Sequence, residues 1–306
     1  MSTDLRQSDG WEKYLKSIGW EVENLKVGSS KTLAKAYVRR IPLIGSVIKI
    51  QRPPSIPSAR EIDHLAKKYH ALLVKVEPQG APRKPLTGFG TDSSPNLPTK
   101  TITIDLTKSE KELWENLSQD ARQSVRKAHS KKLSVVSYWN RSKRFKEELE
   151  KFHQLFKETG QRQGFWIPSV KQLEAKANAF GKDVLLFLSY QSSGLPPLQP
   201  KHPCSGAFVL TAEDTAFYHH AASSPEGQEL HAPYLLLWEI LRKLKALGIK
   251  TLDLEGIFDP RFSNLTRRWK GFTTFKQKFG GEEKEYPTPL VKYYNPLLNI
   301  LFKFFS

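Results

Sequence analysis

In "GFTTFKQKFGGE", Gly271 to Glu282, Phe272, Phe275 and Phe279 recur at i, i+3 and i+7, and Lys276 falls at i+4 on the same helical face. Lys270 and Lys278 point elsewhere around that helix, and Gly280–Gly281 marks a stop. An ammonium group held rigidly among phenylalanines acts in a partly dry site, where its field on a developing negative charge is strengthened. The same spacing fits a lysine at the edge of an apolar stripe that snorkels its charge into water. Spacing alone leaves both readings standing.

Other groups could serve chemistry nearby. Asp253 and Glu255 alternate on one face of the strand-like "IKTLDLEGI", where they could orient an amine or a lysine, or be satisfied by neighbouring arginines. Asp105, in "TITIDL", fits a base or a cap for the following helix. Tyr218 and Ser223 fall in "YHHAASS", at the end of an alternating strand that equally suits core packing of the tyrosine. His219 and His220 are adjacent, so in a strand they face opposite sides, which argues against a shared metal. Cys204 is the only cysteine, which rules out an internal disulfide or a multi-cysteine metal site. No Ser-His-Asp or Cys-His spacing is present, and no cofactor or metal is expected. Arg122, Arg126, Lys127, Lys131 and Lys132 form the densest basic cluster, either a phosphate-binding face or a solvated one. A second basic-aromatic cluster, "RRWKGF", contains Arg267 and Arg268.

These residues need a sizeable scaffold, and 306 residues suffice for two ordinary domains. Lys plus Arg number 48 against 31 Asp plus Glu, a net charge of +17 that favours polyanionic partners. The polar N-terminus has no signal-peptide core, and apolar runs of about ten residues fall short of the ~20 that a membrane span needs. A cytoplasmic protein is expected. Helices are expected from Ser8 to Ile18, after a Ser58 cap, and as one long element from Ser109 through Leu113, Leu117, Ala121, Val125 and Ala128. Further helices are expected over 142–159 and 168–180, and from Pro233 to a stop at Gly248. Strands are expected at "LAKAYVRR", "GSVIKIQR", "LLVKVEP", "KTITIDL", "LSVVSYW", "DVLLFLSY", "CSGAFVLT" and "TAFYHHAA", with "QSSGLPPLQPKHP" as an enlarged turn. Residues 78–100 read as a long loop. Both halves alternate strands and helices, the texture of a duplicated α/β unit.

"YHHAASSPEGQELHAPYLLLWEILRKLKALGIKTLDLEGI" followed by "GFTTFKQKFGGEEKEY" resembles the FemABX family of aminoacyl-tRNA-dependent peptidyltransferases. "DGWEKYLKSIGW", "RRIPLIGSVIKIQRPP" and "KTITIDLTKSEKELWENLSQDARQSVRKAHSKKL" resemble family segments in the family's order, so the likeness covers nearly the whole chain. It implies two tandem GNAT-like domains with mixed sheets flanked by helices. The expected division is 1–140 and 141–285, with a tail at 286–306 docking back on the first domain. It also implies transfer of an amino acid from aminoacyl-tRNA to the stem-peptide side-chain amine of a peptidoglycan precursor, UDP-linked or lipid-linked. No coiled-coil arm is present, which is the compact form of the family.

The resemblance places the family's important lysine at Lys276, and makes Tyr218, Ser223, Asp253 and Glu255 candidate precursor contacts. The family often has a lysine four residues after the first tryptophan; Leu15 stands there, and Lys16 beside it is the candidate for the precursor phosphate. Arg122, Arg126, Lys127, Arg267 and Arg268 become candidates for tRNA or diphosphate. A monomer is expected, at most peripheral at the inner face of the membrane, with the apolar tail "NPLLNILFKFFS" docked on the first domain or touching lipid. Competing readings are transfer to a protein N-terminus, acyl-CoA-dependent N-acyl transfer and non-enzymatic RNA binding. The CoA reading lacks its pyrophosphate loop, because "QRQGFW" and "RWKGFT" both end wrongly.

Overall fold

A computed structural model describes residues 4–27, 32–82, 85–191 and 202–295. The chain forms two compact α/β units, and it passes between them more than once. The first contains Met1–Lys100, Gly256–Trp269 and Lys284–Ser306, and the second contains Thr101–Glu255 and Lys270–Glu283. The chain therefore first leaves unit 1 at Lys100, not near residue 140 as expected, because the strand and helices that follow belong to the second sheet.

Unit 1 is built on a sheet of β1 (Glu21–Lys26), β2 (Leu33–Ile41), β3 (Gly45–Gln51), β4 (Ala71–Glu77), β13 (Leu290–Tyr293) and β5 (Gly90–Thr91), hydrogen-bonded in that order. Neighbours are antiparallel except β3 and β4, which run parallel and are joined through helix α2 (Ala59–Lys68). A parallel pair needs such a crossover. Helix α1 (Asp9–Ser17) is capped by Ser8, and α2 starts with a capping box between Ser58 and Glu61. Ile62, Leu65 and Ala66 of α2 pack on Ile48, Ile50, Val74 and Val76 to form the core of this unit. β1 is absent from the expected strands, since "EVENLK" carries charge at alternate places and shows little apolar signal. The expected loop 78–100 is pinned down: Glu77 accepts from the backbone N–H groups of Asn96 and Leu97, both at 2.7 Å, and Asp92 pairs with Lys75 at 2.7 Å. Helix α9 (Ser263–Thr266) also belongs to this unit. Residues 296–306 of the apolar tail, and most of the turn at 191–203, lie outside the described residues.

Unit 2 repeats the plan on a larger scale. Its sheet runs β12 (Glu282–Glu285), β6 (Lys100–Asp105), β11 (Thr251–Gly256), β10 (Thr215–Ser223), β9 (Ser205–Ala212), β8 (Val184–Gln191) and β7 (Leu133–Trp139). β7 to β10 form an antiparallel meander, whereas β10 and β11 are parallel. The connection between that parallel pair is α7 (Pro225–Glu229) and α8 (Ala232–Ala246), the counterpart of α2 in unit 1. The long helix expected from Ser109 is two helices, α3 (Glu110–Asn116) and α4 (Gln119–Ser130). Leu117 is extended at φ −66°, ψ 142°, and Ser118 accepts from Ala121 N at 3.1 Å as a second N-cap. Helices α5 (Phe145–Gln163) and α6 (Val170–Phe180) follow. Helix α10 (Lys270–Gln277) ends before Gly280 and Gly281, whose φ values are +75° and +92°. A Cβ on Gly281 would lie 2.6 Å from the carbonyl oxygen of Thr103, so the stop needs glycine for space as well as for torsion.

Candidate functional site

The parallel ladder of unit 2 is short. Thr215, Ala216 and Phe217 pair with Thr251, Leu252 and Asp253. Beyond these pairs, β10 carries a bulge between Tyr218 and His220. In β11, Glu255 takes the left-handed conformation at φ +57°, which is uncommon for a residue with a long side chain. The open carboxyl ends of parallel strands are where α/β sheets place ligands.

Lys276 sits at this place. Its side chain is 8% exposed, less than Phe272 or Phe275 on the same helix, so it does not snorkel. The ammonium lies 3.4 Å from the Glu255 carbonyl oxygen and 5.1 Å from the Phe272 ring centroid. Burial lowers its pKa to about 8, against the pull of the Glu255 and Asp253 carboxylates, which raise it. The phenylalanines anchor the helix: Phe275 and Phe279 pack on each other and on Tyr234, with centroids 5.0–5.9 Å apart. Phe279 lies beyond the last helical residue, in the turn. Lys278 is directed away, to Asp120 at 3.2 Å.

Asp253 accepts from the Thr101 hydroxyl and, at 2.7 Å, from the backbone N–H of Glu255, which fixes the left-handed turn. The same Thr101 hydroxyl oxygen lies 2.9 Å from the Glu255 carbonyl oxygen, so its one proton is shared between the two acceptors. The Glu255 carboxylate lies 3.5 Å from His219 Nδ1, and His219 Nε2 lies 2.7 Å from the Lys176 ammonium. A charged Lys176 can only donate, which would make Nε2 the acceptor and leave a ring proton on Nδ1, facing Glu255. A polar row therefore runs Lys176, His219, Glu255, Lys276, all of it buried or nearly so.

The bulge overturns the expectation that His219 and His220 face opposite sides. An extra residue in one strand breaks the two-residue alternation, and the rings lie 4.2 Å apart. His220 sits between Phe156 and Phe208, where burial above all, with Lys176 and any charge on His219 adding to it, pushes its pKa well below the usual value. No group of three or more metal-binding side chains occurs among the described residues.

Tyr218 is buried, and burial raises its phenol pKa. Ser223 ends β10; its hydroxyl accepts from Gln228 at 3.2 Å, and its carbonyl from Arg162 at 2.6 Å. Lys176 and Thr101 were missed by sequence reasoning. Lys176 carries the signature that singled out Lys276: it shares a buried helical face with Leu173, Ala177 and Phe180.

The basic candidates separate. Arg122 donates to the carbonyls of Glu115 and Leu117 at 2.9 and 2.6 Å, so it caps the end of α3. Arg126 and Lys127 are exposed, with Arg126 5.6 Å from the Trp114 ring. His231, between α7 and α8, has its pKa lowered by burial and by Lys127 and Lys131. Arg267 and Arg268 are exposed in unit 1, and Lys16, also in unit 1, pairs with Glu12 at 2.7 Å on the surface of α1. Asp105 accepts from the Thr107 N–H and hydroxyl, at 2.9 and 2.6 Å, which fixes the turn before α3.

The family model for the FemAB family matches residues 84–192 and 198–306, more than half the chain, and the protein belongs to that family. Among solved structures it is similar to the crystal structure of FemX, at TM-score 0.76 and 19% identity over 99% of this chain and 95% of that one. It is also similar to the C-terminal domain of a putative lysylphosphatidylglycerol synthetase from Agrobacterium fabrum, at TM-score 0.61, 11% identity, and coverage of 97% and 92%. The L-PGS of Bacillus licheniformis matches at TM-score 0.56, 11% identity, and coverage of 100% and 97%. At these identities the structural likeness speaks for the fold, which is a tandem pair of mixed α/β, GNAT-like units. Comparison with curated proteins gives no match.

Proposed function

We propose that the protein transfers an amino acid from aminoacyl-tRNA to the side-chain amine of a peptidoglycan-precursor stem peptide. The observation that carries this reading is the buried Lys276 ammonium at the open ends of β10 and β11, in a chain of the FemAB family. An aminoacyl ester is already activated, so the protein must align it with a neutral amine and stabilise the oxyanion that forms. The acceptor nitrogen attacks the ester carbonyl carbon, the new C–N bond forms, and the bond to the ribose oxygen breaks. The proton lost by the amine ends on that oxygen. Lys276 faces the oxyanion, and Glu255, backed by His219, orients the amine. Tyr218 and Ser223 contact the precursor. Arg126 and Lys127 of the second unit and, separately, Arg267 and Arg268 of the first hold phosphates of the tRNA or of the precursor.

Incubation with tRNA carrying a labelled amino acid, and with UDP-linked or lipid-linked precursor, tests the proposal. Label in the precursor supports it, and the preferred acceptor identifies the substrate form. Label on a protein N-terminus, or on neither precursor, sinks it.

A further inference from the structure

We propose that the tip of the β2–β3 hairpin is a membrane-surface anchor that places Leu43 and Ile44 among the headgroups of an anionic bilayer. The tip reads Ile41-Pro42-Leu43-Ile44-Gly45, and Ile44 N donates to Ile41 O at 3.1 Å, closing a four-residue turn. Proline in its second place and φ +65° in its third define the type II arrangement, whose third position suits glycine. Leucine stands there instead, strained for a branched side chain. Leu43 is fully solvent-exposed, at 108%, and Ile44 is 65% exposed. Neither the strain nor the exposure of aliphatic carbon favours folding, and two adjacent aliphatic side chains at one projecting point offer an apolar contact to a partner outside the chain.

Charge around the tip points to the occupant. Arg39 and Arg40 precede it on β2. The end of α2, with Lys67 and Lys68, meets the hairpin just below its tip, where Ser46, paired with Arg40, donates to the carbonyls of Tyr69 and His70 at 2.8 and 3.2 Å. Glu21 and Glu23 pair with Arg40 and Lys68, which leaves this end of the unit cationic. A convex tip of three residues covers far less than the ~800 Å² per partner of a stable protein interface. An apolar point on a cationic rim fits the boundary of an anionic bilayer.

Co-sedimentation of the full chain with phosphatidylcholine vesicles, with and without phosphatidylglycerol, tests this. Binding is expected on the anionic vesicles only, and to fall about tenfold in Leu43→Ser with Ile44→Ser. Leu43→Gly relieves the torsion, so it should melt higher than wild type yet bind several-fold more weakly; this variant decides if the double variant folds poorly. Unchanged vesicle binding in these variants overturns the proposal, because the lipid contact then lies elsewhere, in the C-terminal tail for instance. So does loss of self-association on gel filtration in place of lost vesicle binding.

Discussion

Lys276 is held in a place that costs stability. Its pKa of about 8 lies below the ordinary 10.5, so between those values the unfolded chain binds more protons than the folded one. Stability therefore rises with pH across that window, and the cost is fully present below about pH 8. Lys276→Met should accordingly be more stable than wild type at pH 7, by on the order of 3 kcal/mol at most. The gain should shrink as pH rises from about 8 toward 10.5. Denaturant melts across that range check this, and a destabilised variant at pH 7 would remove the argument from burial. His219 offers a second test. Asparagine can present a donor where Nδ1 stands, and glutamine an acceptor where Nε2 stands. His219→Asn should retain most of the transfer rate by keeping the contact to Glu255, whereas His219→Gln should lose about tenfold in kcat with KM little changed. Equal rates in the two variants would make His219 a packing residue only.

Among the elements, what was legible in the sequence was whatever local spacing records. The helix caps read at Ser58 and Ser109 both form boxes with the residue three places on, and Ser169, inside the expected helix 168–180, forms a third. The Lys276 face and the strands of the meander could be read in the same way. The bulge at His219, the left-handed Glu255 and the link to Lys176 depend on contacts between elements distant in sequence, which periodicity does not encode. The break at Leu117 was hidden because Leu117 still faces the core, so the apolar pattern runs through it. That break changes the meaning of Arg122. Arg122→Ala should lower stability by about 1–2 kcal/mol through the uncapped carbonyls of α3, with the salt dependence of tRNA binding unchanged. Arg126→Ala with Lys127→Ala should leave stability alone and reduce the slope of log K against log salt by about 1–2. Filter binding at several salt concentrations, beside thermal melts, separates the two. A reversed pattern would restore Arg122 to the anion site.

For the whole molecule, the two sheets share a plan that the alternating texture of the sequence foreshadowed: an antiparallel run ending in one parallel pair with a helical crossover. The expected boundary near residue 140 failed because strand order does not follow chain order. β13 returns from the C-terminal region to pair with β4, while β6, α3 and α4 serve the second unit. A fragment ending at residue 140 should therefore show no cooperative thermal unfolding, and a sharp two-state melt would contradict this assignment.

The most direct measurement is single-turnover transfer of a labelled amino acid from charged tRNA to the precursor, by wild type, Lys276→Met, Lys276→Arg and Lys278→Met. A buried cation at the reacting carbonyl predicts a loss of at least about a hundredfold in Lys276→Met, with Lys278→Met near wild type. It also predicts a wild-type rate that falls as pH rises through about 8, and no such fall in the residual activity of Lys276→Arg, which stays charged. Equal losses at Lys276 and Lys278, or full activity in Lys276→Met, would contradict the account.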